Sequence, residues 1–427
     1  MRFTAVGDVL IQQRIPETYV GFEKLRAFIE RGDARFFNLE TTLNEEGECF
    51  ASQFSGGTYV RTVPEAFGDI LSYGFNMTTF NNNHAMDFSY EGLLRTKDVI
   101  DGYDIVQSGV GRNLDEAAAP HYLDTPNGRV ALIAVSTSFD PSMMAGQQSR
   151  RVPGRPGVNG VRHIRTIVLP KEDFDTVCRI GDACGVQAAL KNLQKQGYSP
   201  KTEEGVYQFD SVRFACGEKA YIKTAVHQED MMRVEKAIFE AKLQADYILI
   251  SVHSHQNPGN NEDVPDFLRE FAHKCIDAGA NAIIGHGPHL LRPIEIYKEC
   301  PIFYSLGDFI LQLYSVAFAP EDFYQKQGLT SDATVHELLA KRSQNFTCGL
   351  MEDIKMRQTV VPYWEAENGK LTRLELLPLE LPIKGNRSLQ GLPVPAQEPS
   401  FFDRLAKMSE PYGTAMTLQD GMIHCKW

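Results

Sequence analysis

Between Asn281 and Phe309 the chain runs N-A-I-I-G-H-G-P-H-L-L-R-P-I-E-I-Y-K-E-C-P-I-F-Y-S-L-G-D-F. An apolar run, Ala282 to Ile284, stops at Gly285-His286-Gly287-Pro288-His289; a second, Ile302 to Leu306, stops at Gly307-Asp308. Short apolar runs that end at glycine and continue into His or Asp are the pattern of buried strands handing polar groups to one edge of a sheet. In layered α/β folds chemistry sits at that edge. His286 and His289 flank a Gly-Pro turn, so they cannot share one face of a regular strand. A tight turn can aim both at one point, as a metal ion requires.

The same alternation of strand and helix fills most of the chain. Arg2–Leu10 is expected as a buried strand ending in Gly7-Asp8-Val9-Leu10, and Phe22–Arg31 as a helix with Phe22, Leu25 and Ile29 on one face. Ala34–Leu43 is expected as a strand carrying Asn38-Leu39-Glu40, and Asn44–Gly57 as a loop. Pro64–Gly74 is a helix and Phe75–Phe80 a strand running into Asn81-Asn82-Asn83-His84-Ala85-Met86-Asp87. Ser89–Asp101 is a further helix; Asp104–Val110 and Arg129–Thr137 are strands. Asp140 to Ile222 breaks this rhythm with a basic, Gly- and Pro-rich loop around Arg155 and Arg162, and is expected as an insertion or lid over the sheet edge. Glu229–Ala245 and Pro265–Ala278 are helices on either side of a strand, Asp246–His255, that ends in two histidines. Lys370–Leu381 has the alternation of a sheet-edge strand, and Pro382–Pro399 the composition of a linker. Strands alternating with helices imply a layered α/β protein. The division expected is a main domain over 1–380, containing the 140–222 region, followed by a linker and tail element over 381–427.

Composition narrows the function classes. A net charge of −12 and a pI near 5.5 argue against a nucleic-acid partner held by phosphate contacts. No run approaches the ~20 apolar residues of a membrane helix. The N-terminus is strand-like from its first residues and lacks a signal-peptide h-region, so a cytoplasmic location is expected. The eight cysteines are scattered without a C-x-x-C pair, which excludes a zinc ribbon or a thioredoxin-like site.

Polar residues recur just past apolar runs: Asp8, Asn38, Glu40, Asn83, His84, His253, His255, His286, His289 and Asp308. Carboxylate, imidazole and Asn carbonyl together suit one or two Mn, Fe or Zn ions better than a thiolate site would. Asp308 is expected as a turn or supporting residue rather than a ligand. His121, His163, His227, His273, His336 and His424 lack such a context and are expected at the surface or in the core.

Gly7-Asp8-Val9, Asn38-Leu39-Glu40-Thr41, Asn82-Asn83-His84-x-x-Asp87, Arg155-Pro156-Gly157-Val158, Gly285-His286-x-Pro288-His289 and Tyr304-Ser305-Leu306-Gly307-Asp308-Phe309, in this order, resemble the CapA family of capsule or poly-γ-glutamate synthesis proteins. That family is similar in fold to the calcineurin-like metallophosphoesterases. The resemblance spans roughly 1–380, and Leu405-x-x-Met408-Ser409-x-Pro411-Tyr412-Gly413-Thr414 is similar to the family's C-terminal element. It implies a four-layer α/β/β/α sandwich of metallophosphoesterase type with a metal site at the strand ends. Asp8, Glu40, Asn83, His253, His286 and His289 match metal ligands, and His84 matches the general acid, oriented by Asp87. The chain departs from the phosphoesterase pattern at Leu10, where that pattern has His, and in its Gly-His-x-x-His spacing. One ion position then keeps Glu40, Asn83, His253 and His286, the other only Asp8, Glu40 and His289. Either two ions or one tight and one weaker ion are compatible with these residues.

Arg155 and Arg162 are candidates to grip a substrate carboxylate or phosphate. His255 is either a substrate contact or a supporting residue. Two functions follow from the resemblance: a metal-dependent hydrolase acting on a γ-glutamyl, related polymeric or phosphoester substrate, or a non-catalytic accessory subunit working with capsule or poly-γ-glutamate synthesis proteins.

Overall fold

The computed structural model describes residues 1–427. Arg2–Leu10 is buried from Phe3 onward, as befits a strand covered on both faces. It is the centre of a ten-stranded sheet. On one side follow Ala34–Leu39, Met77–Thr79 and Val106–Ser108, all parallel. On the other, its first half pairs antiparallel with Gln358–Glu367 and its second half parallel with Asp308–Leu311. Lys370–Glu380 and the hairpin Ala415–Gln419/Met422–Lys426 complete that flank. A second, six-stranded sheet runs Ile294–Tyr297, Cys300–Phe303, Ala282–His286, Tyr247–His253, Gly128–Ser136, His121–Thr125. Its inner members are parallel.

The two sheets pack face to face over a core that includes Phe3, Phe36, Leu249, Ile284, Phe303 and Trp364. Trp364 is fully buried, stacks on Phe3 at 5.1 Å between ring centroids and donates its indole N–H to Tyr247 Oη at 3.1 Å. Helices Phe22–Ile29, Glu65–Leu71 and Ser89–Asp101 cover the outer face of the first sheet, burying Leu25, Phe67, Ile70 and Leu93. Gln228–Lys242 and Asp266–Ala278 cover the second, burying Val234, Ile238, Leu268 and Phe271. The result is the expected four-layer α/β/β/α sandwich. No helix is long and apolar enough to cross a membrane.

Register fixes where the strand ends meet. Asp8 lies beside Asn38 on one neighbouring strand and Asp308 on the other, while His253 lies beside His286. The C-terminal ends of parallel strands from both sheets, with the start of Asp308–Leu311, therefore present polar side chains to one shared rim.

Some elements differ from expectation. The expected strand Ala34–Leu43 breaks into Ala34–Leu39 and Thr42–Leu43, and Glu40 occupies the break. Lys370–Glu380 is an interior strand rather than an edge, because the C-terminal hairpin adds beyond it. Its partner Gln358–Glu367 escapes pattern reading because Pro362 sits in mid-strand, paired with Leu376. In the 381–427 stretch, Phe401, Leu405, Ile423 and Cys425 join the core between the sheets.

Within the 140–222 region, Gly157–Val158 pairs with Val110–Gly111. Val206–Phe209, Val212–Cys216 and His163–Leu169 form a small sheet with Tyr221–Val226, accompanied by helices Lys171–Ala183 and Val186–Lys195. This sheet docks on helix Asp266–Ala278: His163 stacks on Phe267 at 4.5 Å, and Phe267 N donates to Thr224 Oγ1 at 3.2 Å.

Trp364 spaces the two sheets, so Trp364→Ala is expected to lower unfolding free energy by about 3–5 kcal/mol, the cost of a large core cavity, measurable by denaturant titration.

Candidate metal centre

Gly7 and Gly307 bring the first carboxylates together. A side chain at Gly7 would meet the Gly307 carbonyl at 1.8 Å, and Asp8 N donates to that carbonyl at 3.1 Å. This backbone-to-backbone approach seats Asp8 and Asp308 side by side, both fully buried. Asp8 Oδ1 accepts from Asn38 Nδ2 at 2.6 Å, and Oδ2 accepts from Gly287 N at 2.8 Å. Asn38 is held in turn by Asn82 Nδ2 at 3.1 Å. Glu40 is anchored by its backbone N–H to Val9 O at 3.1 Å, yet neither of its buried carboxylate oxygens has a hydrogen-bond partner.

Imidazoles surround these acids. Glu40 Oε1 lies 3.5 Å from His253 Nε2, 3.7 Å from His255 Nε2 and 4.0 Å from His84 Nε2; Oε2 lies 3.9 Å from His289 Nδ1. Asp8 Oδ1 is 3.5 Å from His286 Nδ1 and 3.7 Å from His253 Nδ1. Asn83 Oδ1 is 2.6 Å from His253 Nε2 and 3.1 Å from His255 Nε2. His286 is braced by Ser251 Oγ at 2.7 Å, and His289 by Asp308 at 2.9 Å. His289 has a φ of 59°, so the turn that aims it holds a left-handed backbone in a residue other than glycine.

Ligand atoms converge within 4.8 Å in three groups: Asp8, His253 and His286; Glu40, His253 and His255; and Asp8, Glu40, His289 and Asp308. This differs from the division expected from sequence. His286 groups with Asp8 rather than Glu40, His255 stands among the donors, and Asp308 shares the group of Asp8 and His289. A signal for Asp308 was present: Gly307-Asp308 repeats the Gly7-Asp8 dipeptide at the end of the neighbouring strand. Asn38, Asn82 and Ser251 support the centre through contacts that no spacing reveals. Arg292, also fully buried, donates to the carbonyls of Asn261 at 3.0 Å and Gln256 at 2.7 Å, fixing the loop that follows His255.

His84 and Asp87 form a pair beside this centre. Asp87 Oδ2 accepts from His84 Nδ1 at 2.7 Å and from Val60 N at 2.9 Å, and Oδ1 from Gly56 N at 3.1 Å. With Nδ1 held, Nε2 faces Glu40.

The two arginines do not join them. Arg162 donates to Asp230 through Nε at 2.7 Å and Nη2 at 2.9 Å, a buried acid that takes up its fork. Arg155 is exposed and donates to Met144 O at 3.1 Å. The expectation that these two side chains grip a substrate carboxylate or phosphate finds no support in their placement: neither hydrogen-bonds or ion-pairs with any residue of the centre, and the guanidinium of Arg162 is already occupied.

The electrostatics are those of a site lacking positive charge. Burial, then the nearby Asp8 and Asp308 carboxylates, raise the Glu40 pKa well above the ordinary value. Burial also pushes Asp308 up to about 6, against the pull of His289. Burial alone would raise Asp8 too, but the His286 hydrogen bond and the adjacent imidazoles hold it below the carboxylate range. Burial keeps His253 and His255 neutral by lowering their pKa values, leaving lone pairs for ligation. Unsatisfied oxygens on Glu40 and Asp308, with mixed oxygen and nitrogen donors, fit a divalent Mn, Fe or Zn ion.

Ligation needs the carboxylates unprotonated and the imidazoles neutral, so ion and proton compete for this centre. Titration of chelator-treated protein with Mn in buffers of different ionisation enthalpy is expected to show proton release on binding, with affinity falling as pH falls. Glu40→Gln is expected to reduce that proton release and weaken binding.

Sequence comparison places the chain in a family. Residues 2–313 match the family model described as "Bacterial capsule synthesis protein PGA_cap". The chain is 31% identical over 430 residues to the uncharacterized protein y4sH of Sinorhizobium fredii, covering 97% of this chain and 91% of that one. It is 21% identical over 320 residues to the capsule biosynthesis protein CapA of Bacillus anthracis, covering 73% of this chain and 59% of the other. A 73-residue stretch, 17% of this chain and 19% of the relative, is 47% identical to the PGA biosynthesis protein CapA of Bacillus subtilis. A hypothetical protein from Thermus thermophilus aligns over 90% of this chain and 100% of its own at 12% identity, with a TM-score of 0.41. With the family model spanning most of its length and a full-length relative beside it, the chain belongs to the bacterial capsule synthesis protein family PGA_cap.

Proposed function

We propose that the protein is a metal-dependent hydrolase that cleaves a γ-glutamyl or phosphoester bond in capsule or poly-γ-glutamate metabolism. The observation that carries this reading is Glu40: a fully buried carboxylate with both oxygens unpartnered, facing four imidazoles and two further carboxylates. Such a group is costly to bury unless a cation completes it.

In this reading Asp8, Glu40, Asn83, His253, His255, His286, His289 and Asp308 supply the ligands. The chemistry a divalent ion would supply there is a water of lowered pKa and polarisation of a substrate oxygen. His84 acts as general acid toward the leaving group through Nε2. Asp87, accepting from His84 Nδ1 and from two backbone N–H groups, fixes the ring's orientation. Asn38 and Gly287 hold Asp8 aimed at the centre.

A second reading has its own support. A probable polyglutamine synthesis accessory protein of Mycobacterium tuberculosis is 24% identical over 278 residues, covering 65% of this chain and 55% of its own length. An accessory subunit would use the same ion to hold the strand ends rather than to cleave a bond.

Turnover of a γ-glutamyl peptide and of a generic phosphodiester, with Mn and with chelator, separates the two. The hydrolase reading expects turnover that chelator abolishes, loss of metal and activity in His253→Ala, and a fall in kcat of about 10²-fold or more in His84→Asn with metal content retained. Turnover indifferent to chelator would sink the metal mechanism. Bound metal with no turnover of either substrate would favour the accessory role.

A further inference from the structure

A cavity of about 550 Å³ is lined by fourteen residues, half of them hydrophobic and none of them a member of the metal centre. Two contacts tie it to that centre. On one side it is bounded by Thr58, which follows the Gly56–Gly57 turn; a side chain at Gly56 would meet the His84 ring at 2.7 Å, so this turn lies against the general acid. On the other it is bounded by Met351, which packs on Leu10 and Leu311, the continuations of the strands that carry Asp8 and Asp308.

Arg342 stands in the cavity wall. It is exposed as a residue, but its guanidinium end turns inward: it donates to Thr58 Oγ1, lies over the Phe323 ring at 5.6 Å and would stand 3.6 Å from a side chain at Gly57. Burial of this end lowers its pKa, and no acid offsets the effect. The contrast with Arg162, whose fork is filled by Asp230, is direct. Arg342 therefore keeps donors for an anion, one guanidinium away from the turn that touches His84.

We propose that this cavity is the subsite for the part of the substrate beyond the reacting bond, and that Arg342 recognises a carboxylate there. This rests on the hydrolase reading for what happens at the metal but not for binding itself. A planar fork suits a carboxylate bidentately. Glu352 and Asp353 also line the cavity, and their repulsion falls more heavily on a phosphate dianion than on a singly charged carboxylate. The apolar half of the lining, including Leu313, Leu339 and Met351, suits the methylene spacers between carboxylates in an extended acidic chain.

The test is calorimetric binding of tri-γ-glutamate and of its fully amidated counterpart to the full chain, to Arg342→Gln and to Arg342→Lys. Metal content and thermal melting are checked in each. The wild type is expected to bind the acid form about tenfold more tightly than the amide, with that ratio falling to within about twofold in Arg342→Gln and lying between in Arg342→Lys. A ratio unchanged in Arg342→Gln, or no preference for the acid in the wild type, would overturn the proposal. So would displacement of the oligomer by inorganic phosphate but not by acetate. Because no turnover is read, a protein that discriminates yet never hydrolyses would remove the hydrolase reading and leave this subsite standing; one that hydrolyses without discriminating would do the reverse.

Discussion

Three carboxylates, those of Asp8, Glu40 and Asp308, are confined in a fully buried space at the rim where two sheets meet. Like charges brought together out of water repel and lose hydration, and most of the surrounding architecture answers that cost. Asp8 is held by an amide side chain and a backbone N–H, and Asp308 by an imidazole. Glu40 has only its backbone fixed. The centre is thus a concentration of negative potential that the protein's own hydrogen bonds leave incomplete.

The two sheets divide the work. The first contributes the acids: Asp8 at the end of Arg2–Leu10, Glu40 just past Ala34–Leu39, and Asp308 at the start of Asp308–Leu311. The second contributes imidazoles: His253 and His286 at strand ends, with His255 and His289 in the loops that follow. Neither sheet carries a complete donor set. The spacing between them, set by the aromatic packing of Phe3, Tyr247 and Trp364, is therefore part of the chemistry. Arg292 adds a local brace, holding the loop after His255 by its carbonyls.

Much of this was legible in the chain. Apolar runs ending in Gly-Asp, Asn-Leu-Glu, Asn-Asn-His and Gly-His located the strand ends, and strand–helix alternation gave the layering. The partition of donors was not legible, because it depends on the angle at which one sheet's ends meet the other's. Asp308 was undervalued although it repeats the Gly-Asp of its neighbour. Arg162 was overvalued because its partner Asp230 lies on a distant helix, where no pattern links the two. The interior position of Lys370–Glu380 was hidden for a similar reason: the hairpin that covers it follows a Pro- and Gly-rich stretch, and its strands are short and half exposed.

Asp8 and Asp308 sit opposite one another in a single parallel ladder, although one lies near the start of the chain and the other far along it. During synthesis the strand bearing Asp8 emerges long before the segment that completes its flank. Until then that edge of the growing sheet is open, and the nascent chain cannot capture an ion with its full complement of donors. Contacts of such long sequence separation form slowly. The donor set is consequently completed only when Asp308 joins the ladder, late in the sequence rather than where the first charge appears.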